Sequence, residues 1–87
     1  MQFIYSRQFK KQFLRLPAKI QNTAKERLKL FSQNQYHSFL NNHHLSGKYE
    51  DYKSINITGD YRVIFQKMND ELYYLIAIGT HDQLYNK

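Results

Sequence analysis

The segment Gly59-Asp60-Tyr61-Arg62-Val63-Ile64-Phe65 is followed, after a short break, by Gly79-Thr80-His81-Asp82-Gln83-Leu84-Tyr85. Together they hold an aspartate, an arginine, a histidine and a tyrosine, the side-chain types that metal-free cleavage of RNA requires. RNA carries its own nucleophile, the 2′-hydroxyl. A protein must therefore supply a base for that proton, an acid for the departing 5′-oxygen, and a cation for the phosphate oxygens. Histidine is the natural acid or base, and an aspartate can share the task or hold an imidazole in one tautomer. These segments make the chain a candidate nuclease.

Each residue also has a plainer reading. His81, just beyond a strand-ending glycine, could project past the sheet, but a surface histidine in a C-terminal tail has the same sequence. Asp60 sits in a turn, where aspartate is favoured for local backbone bonding. Arg62 is either half of a surface ion pair or a phosphate clamp. Tyr85 could stack on a base, or pack the tail onto the sheet. His43 and His44 are adjacent and lack the spacing of a recognised zinc site, so no metal or cofactor is expected.

The elements that must position these groups follow from apolar spacing. Gln2 to Tyr5 reads as a strand, and Ser6 as an N-cap for a helix from Arg7 to about Leu16, with Phe9, Phe13 and Leu16 on one stripe. Pro17 suits the first position of a second helix, where its missing amide costs nothing. Ile20, Ala24, Leu28 and Phe31 carry that helix to about Ser32. Residues 33–48 are polar and aperiodic, a connecting loop. From Tyr49 onward Tyr52, Ser54 and Asn56 alternate with Lys53, Ile55 and Ile57, a strand with one buried face. Thr58-Gly59-Asp60 turns the chain, with Gly59 expected at positive φ. Strands over Tyr61–Lys67 and Leu72–Ile78 follow. The last is apolar enough to be interior. Gly79 is expected to end it, leaving Thr80 to Tyr85 as a tail. The resulting expectation is an α+β fold of two layers, a helical hairpin on an antiparallel sheet of about four strands, with residues 1–87 as one domain.

Eighty-seven residues with 41% hydrophobic content allow one small core, since domains near this size bury only about 60% of their unfolded surface. Without cysteine there is no disulfide framework and no thiolate nucleophile. No apolar run approaches the roughly 20 residues of a membrane span, and the N-terminus has no signal-type stretch, so a soluble cytoplasmic protein is expected. The net charge of +6 points to a polyanionic partner. Residues 1–33 hold eight Lys and Arg against Glu26 alone, whereas the remainder is close to neutral. A solvated helix face would account for a charge run. Such asymmetry in a short chain favours nucleic acid, or an acidic protein that mimics it.

The stretch His43-His44-Leu45-Ser46-Gly47, then Tyr52-Lys53-Ser54-Ile55, the Asp60-Tyr61-Arg62-Val63 element and the terminal Gly-Thr-His-x-x-Leu-Tyr together resemble the RelE/ParE superfamily of bacterial toxins, and within it the YafQ branch. The resemblance spans nearly the whole chain. It implies a type II toxin–antitoxin endoribonuclease that cleaves mRNA in the ribosomal A site, and it implies a cognate antitoxin partner. It further implies His81 as general acid, His43 or Asp60 as general base, Arg62 as phosphate clamp and Tyr85 as an orienting or stacking group. Lys10, Lys11, Arg15, Lys48, Lys53 and Asn56 are expected to contact RNA. Where YafQ-like toxins carry an aspartate and a histidine on the strand after Leu-x-Gly, this chain has Ser54 and Asn56, so proton transfer falls to His43, Asp60 and His81. Two rival readings remain on the same scaffold: a ParE-like inhibitor of DNA gyrase, and a non-catalytic nucleic-acid-binding module.

Overall fold

Backbone pairing, more than apolar patterning, decides how many strands this chain forms. A computed structural model describes residues 1–85, apart from the side chain of Lys48. In it β1 (Gln2–Tyr5), α1 (Arg7–Leu14) and α2 (Ala18–Gln33) precede β2 (His43–His44), β3 (Lys53–Asn56), β4 (Tyr61–Lys67), β5 (Leu72–Thr80) and α3 (His81–Tyr85). The sheet is five-stranded in the order β1-β5-β4-β3-β2. It is mixed rather than antiparallel, because β1 runs parallel to β5. The fifth strand, β2, arises inside the expected loop. Its two histidines pair through their backbones with Ser54 and Lys53, which requires no apolar side chain.

Ser6 caps α1 by accepting the Phe9 N–H at 2.9 Å and donates its hydroxyl to the Ile76 carbonyl at 2.6 Å, tying the helix start to β5. Farther along, Gln12 accepts the Ile78 N–H, so α1 covers the part of β5 that β1 is too short to pair. The helix stops at Leu14, two residues short of the expected end. Pro17 is the N-cap of α2 with extended ψ, not its first helical residue. Gln21 closes this corner by donating to the Leu16 carbonyl and to that of Phe13, which also accepts the Leu16 N–H at 3.1 Å.

The helical hairpin covers one face of the sheet. Phe9, Ala24, Leu28 and Phe31 pack there with Ile55, Ile57, Val63, Phe65, Tyr73, Leu75 and Ile78, joined by the fully buried Leu40 from the loop. On the other face Ile64, Ala77 and Leu84 form a smaller cluster, flanked by Leu45, Tyr49, Tyr52, Ile76 and Tyr85. Burial of β3 is therefore two-sided: Ile55 faces the helices and Ser54 faces α3, and both have no exposed surface. The expectation of a single buried face is corrected by α3, which was anticipated as a tail.

Gly79 does not end β5, which continues through Thr80. Its missing side chain serves close approach, since a Cβ there would lie 2.9 Å from Gln83 Oε1 on the returning helix. Gly59 does not adopt positive φ; the turn is made by the Thr58 hydroxyl, which accepts the N–H groups of Asp60 and Tyr61.

Candidate active site

The smaller face carries a cleft of about 310 Å³ lined by Asn41, His43, Leu45, Ser46, Arg62, His81 and Tyr85. Strand register explains why residues distant in sequence meet there. His43 and Ile64 both lie opposite Ser54, while Arg62 lies opposite Asn56 and Gly79. Directly opposed residues share a face, so the pairing directs all of these toward the α3 side. Adjacent strand residues point oppositely, which is why His43 lines the cleft and His44 does not.

Each side chain is held by a separate device. His43 is exposed, with Nδ1 2.6 Å from the Asn41 carbonyl. Arg62 is half-buried and donates to the Gly59 carbonyl at 3.0 Å and more loosely to that of Thr58, so the turn holds the guanidinium. Among the described residues no carboxylate pairs with it, and its charge is available to an anion. His81 opens α3, its backbone N–H donating to the Asp60 carbonyl at 3.0 Å. One turn later, Tyr85 brings its ring to 4.6 Å from that of His81. The Tyr85 hydroxyl reaches 3.3 Å from the buried Ser54 Oγ. Asp82 approaches His81 Nδ1 at 3.9 Å.

Four of the five residues expected to do chemistry thus line one cleft. Asp60, the fifth, is exposed and does not line it; the contribution visible for Asp60 is its carbonyl, which anchors α3. The expected RNA contacts are more scattered. Lys10 and Lys11 are exposed on α1 and Arg15 just beyond its end, in the other layer. Lys10 borders an apolar groove with Tyr5, Phe9, Phe13 and Leu14, while Arg15 lines a cleft shared with Tyr61 and Gln83. Lys53 sits 5.2 Å over the Tyr36 ring. Asn56 shares the cleft face, and its buried Oδ1 accepts no hydrogen bond among the described residues. The Lys48 side chain lies outside the described residues. Arg27, one of the eight cations of residues 1–33, donates to the Ile57 carbonyl and lies over Phe39.

Asn41, Leu45 and Ser46 were not anticipated as lining residues. Leu45 and Ser46 belong to the Leu-x-Gly element, and Asn41 stands in left-handed backbone, which asparagine tolerates better than most residues. Chemically, the cleft offers two imidazoles, one guanidinium without a carboxylate partner among the described residues, and one phenol around a space open to solvent.

A family model for the YafQ bacterial toxin of type II toxin-antitoxin systems matches residues 1–86. YafQ from E. coli strain BL21(DE3) has the same fold, with a TM-score of 0.79 at 24% identity, covering 97% of each chain. In the E. coli DinJ-YafQ toxin-antitoxin complex the matching chain gives 0.75 at 26% identity, over 97% of this chain and 96% of that one. The RelB-RelE antitoxin-toxin complex from Methanococcus jannaschii contains a chain similar at 0.72 and 17% identity, over 95% of each. None of the curated proteins matches. The α+β layers and full-length family match together place this chain in the YafQ family of type II toxin–antitoxin toxins.

Proposed function

We propose that this toxin is a ribosome-dependent endoribonuclease that cleaves mRNA in the A site without a metal. The observation that carries the reading is the convergence on one cleft of His43, His81 and an arginine that pairs with no carboxylate among the described residues. One imidazole removes the 2′-hydroxyl proton, the 2′-oxygen bonds to the adjacent phosphorus, and the bond from phosphorus to the 5′-oxygen breaks. The second imidazole gives a proton to that leaving oxygen. A 2′,3′-cyclic phosphate and a 5′-hydroxyl result.

In this scheme His81 is the acid, His43 is the base, and Arg62 neutralises the equatorial phosphate oxygens. Tyr85 offers a ring on which a base can stack. Asp60 acts through the α3 backbone. The lysines of α1 and α2 face solvent on the opposite layer and suit a second RNA surface, that of the ribosome, in the cytoplasm. E. coli YafQ is found bound to DinJ; by analogy a small antitoxin with an acidic segment binds the present toxin.

Programmed ribosomes carrying end-labelled mRNA test the proposal. His81→Ala should slow cleavage by roughly 10²–10⁴-fold, the range of a proton-transfer group. Full activity in that variant would remove His81 from the mechanism.

A further inference from the structure

We infer that Asn41 is a positioning residue that fixes the tautomer of His43 and so makes it the base of the reaction proposed above. Asn41 has φ 45° and ψ 52°, and among the described residues it alone combines a side chain with positive φ. That conformation is imposed from both sides. Leu40, just before it, is fully buried and donates its N–H to the His37 carbonyl at 3.0 Å. Asn42, just after it, donates from Nδ2 to the Gln35 carbonyl at 3.0 Å, and β2 is then locked to β3. Between these anchors the chain reverses sharply. The reversal sends the Asn41 carbonyl toward the imidazole two residues later, at 2.6 Å from Nδ1.

A carbonyl oxygen can only accept. Nδ1 must therefore carry the hydrogen, and in the neutral ring Nε2 is left with its lone pair. Free imidazole side chains in water favour the opposite form, with hydrogen on Nε2, which offers the 2′-hydroxyl a donor where the reaction needs an acceptor. Among the described residues no backbone carbonyl bonds to the His81 ring, and the Asp82 carboxylate lies 3.9 Å from its Nδ1. The two histidines are thus differentiated: His43 presents a base, and His81 is left to act as the acid. Among the described residues, the charged and titratable groups lining the cleft with His43 are Arg62 from β4 and His81 and Tyr85 from α3. The Asn41 carbonyl is the only hydrogen-bond partner of the His43 ring among the described residues.

Two measurements test the inference. Long-range ¹H–¹⁵N correlation on the purified wild-type toxin, at a pH where the imidazoles are neutral, should show His43 Nδ1 protonated and Nε2 bare. A predominantly Nε2-protonated His43 would overturn it. For function, Asn41→Gly retains access to left-handed backbone, whereas the β-branched Asn41→Val opposes it. Single-turnover cleavage on ribosomes should be about tenfold or more faster in Asn41→Gly than in Asn41→Val, a modest share of what a general base supplies, with ribosome binding alike in both. Equal cleavage by two folded variants would also refute the role. If Asn41→Val does not fold, the nitrogen shifts of wild type and Asn41→Gly decide the matter alone. A wild-type toxin that leaves ribosomal mRNA intact would overturn the proposed reaction, while the tautomer measurement would still judge the geometry.

Discussion

On the helix side of the sheet, Ile55, Val63, Phe65 and Tyr73 meet Phe9, Leu28 and Phe31 in an aromatic-rich core whose Tyr73 hydroxyl accepts from Gln35 at 3.2 Å. On the other side, at the neighbouring positions of the same strands, Arg62 lines a polar cleft, Ser54 bonds to the cleft residue Tyr85 of α3, and Asn56 stands opposite Arg62. One residue step along β3 or β4 therefore passes from packing to chemistry. The cleft inherits its geometry from the core: a strand cannot move on one face without moving on the other. It follows that substitutions on the two faces should separate stability from activity, and the following variants test how cleanly.

The largest effect is expected at the centre of the packed face. Phe31 is fully buried, edge-on to Phe65 at 4.9 Å and to Tyr73 at 5.5 Å. Phe31→Ala should lower unfolding free energy by about 3–5 kcal/mol, measured by urea titration, which would take most of the stability of so small a domain. A loss under 1 kcal/mol would mean that this face is not the structural one.

Arg62→Ala belongs to the other face and should behave in the opposite way. Cleavage should fall roughly 10²–10³-fold, as for loss of a charge stabiliser in a transition state, while the urea midpoint stays near wild type. A large loss of stability would show that Arg62 serves the fold by bracing the Thr58–Gly59 turn.

Ser54 lies on the boundary between the two behaviours, being fully buried yet bonded to a cleft tyrosine. Ser54→Ala should cost about 1 kcal/mol of stability, the net worth of one buried hydrogen bond, with cleavage reduced less than for Arg62→Ala. The smallest effect is expected far from both faces. The Asp70 carboxylate, 3.1 Å from Lys67 Nζ, raises the lysine pKa above the ordinary 10.5. A raised folded pKa stabilises below the unfolded value and is lost as pH rises through the folded one, so the pair is intact at pH 7. Both groups are exposed and screened, and Asp70→Asn should leave the melting temperature at pH 7 unchanged within error.

The contrast between the faces also explains what could be read in advance. The helical stripes of Phe9 and Phe13 and of Ala24, Leu28 and Phe31 show in the spacing because they bury one side against the core. Strand β4 was anticipated with its observed limits, Tyr61 to Lys67, since its run is apolar and bounded by turns. On the cleft side such signals fail. The pairing of β2 is carried by backbone groups of two histidines, and Ser54 is buried although polar, so neither leaves an apolar pattern. Helix α3 is five residues long and depends on Leu84 packing beneath it and on the Asp60 carbonyl, both long-range effects. Of the residues singled out by type, His43, Arg62, His81 and Tyr85 are brought together in one cleft. Asp60, expected to act through its carboxylate, does not line the cleft, and its bond to α3 runs through its carbonyl, a distinction that residue type does not carry.

The most direct test of the central claim, that the polar face cleaves RNA by internal transesterification, is the chemistry of the fragment ends. Wild-type toxin on programmed ribosomes should yield 2′,3′-cyclic phosphate and 5′-hydroxyl termini, and His81→Ala should lose both together while keeping its fold and ribosome binding. Fragments ending in 3′-hydroxyl and 5′-phosphate, or undiminished cleavage in the variant, would contradict it.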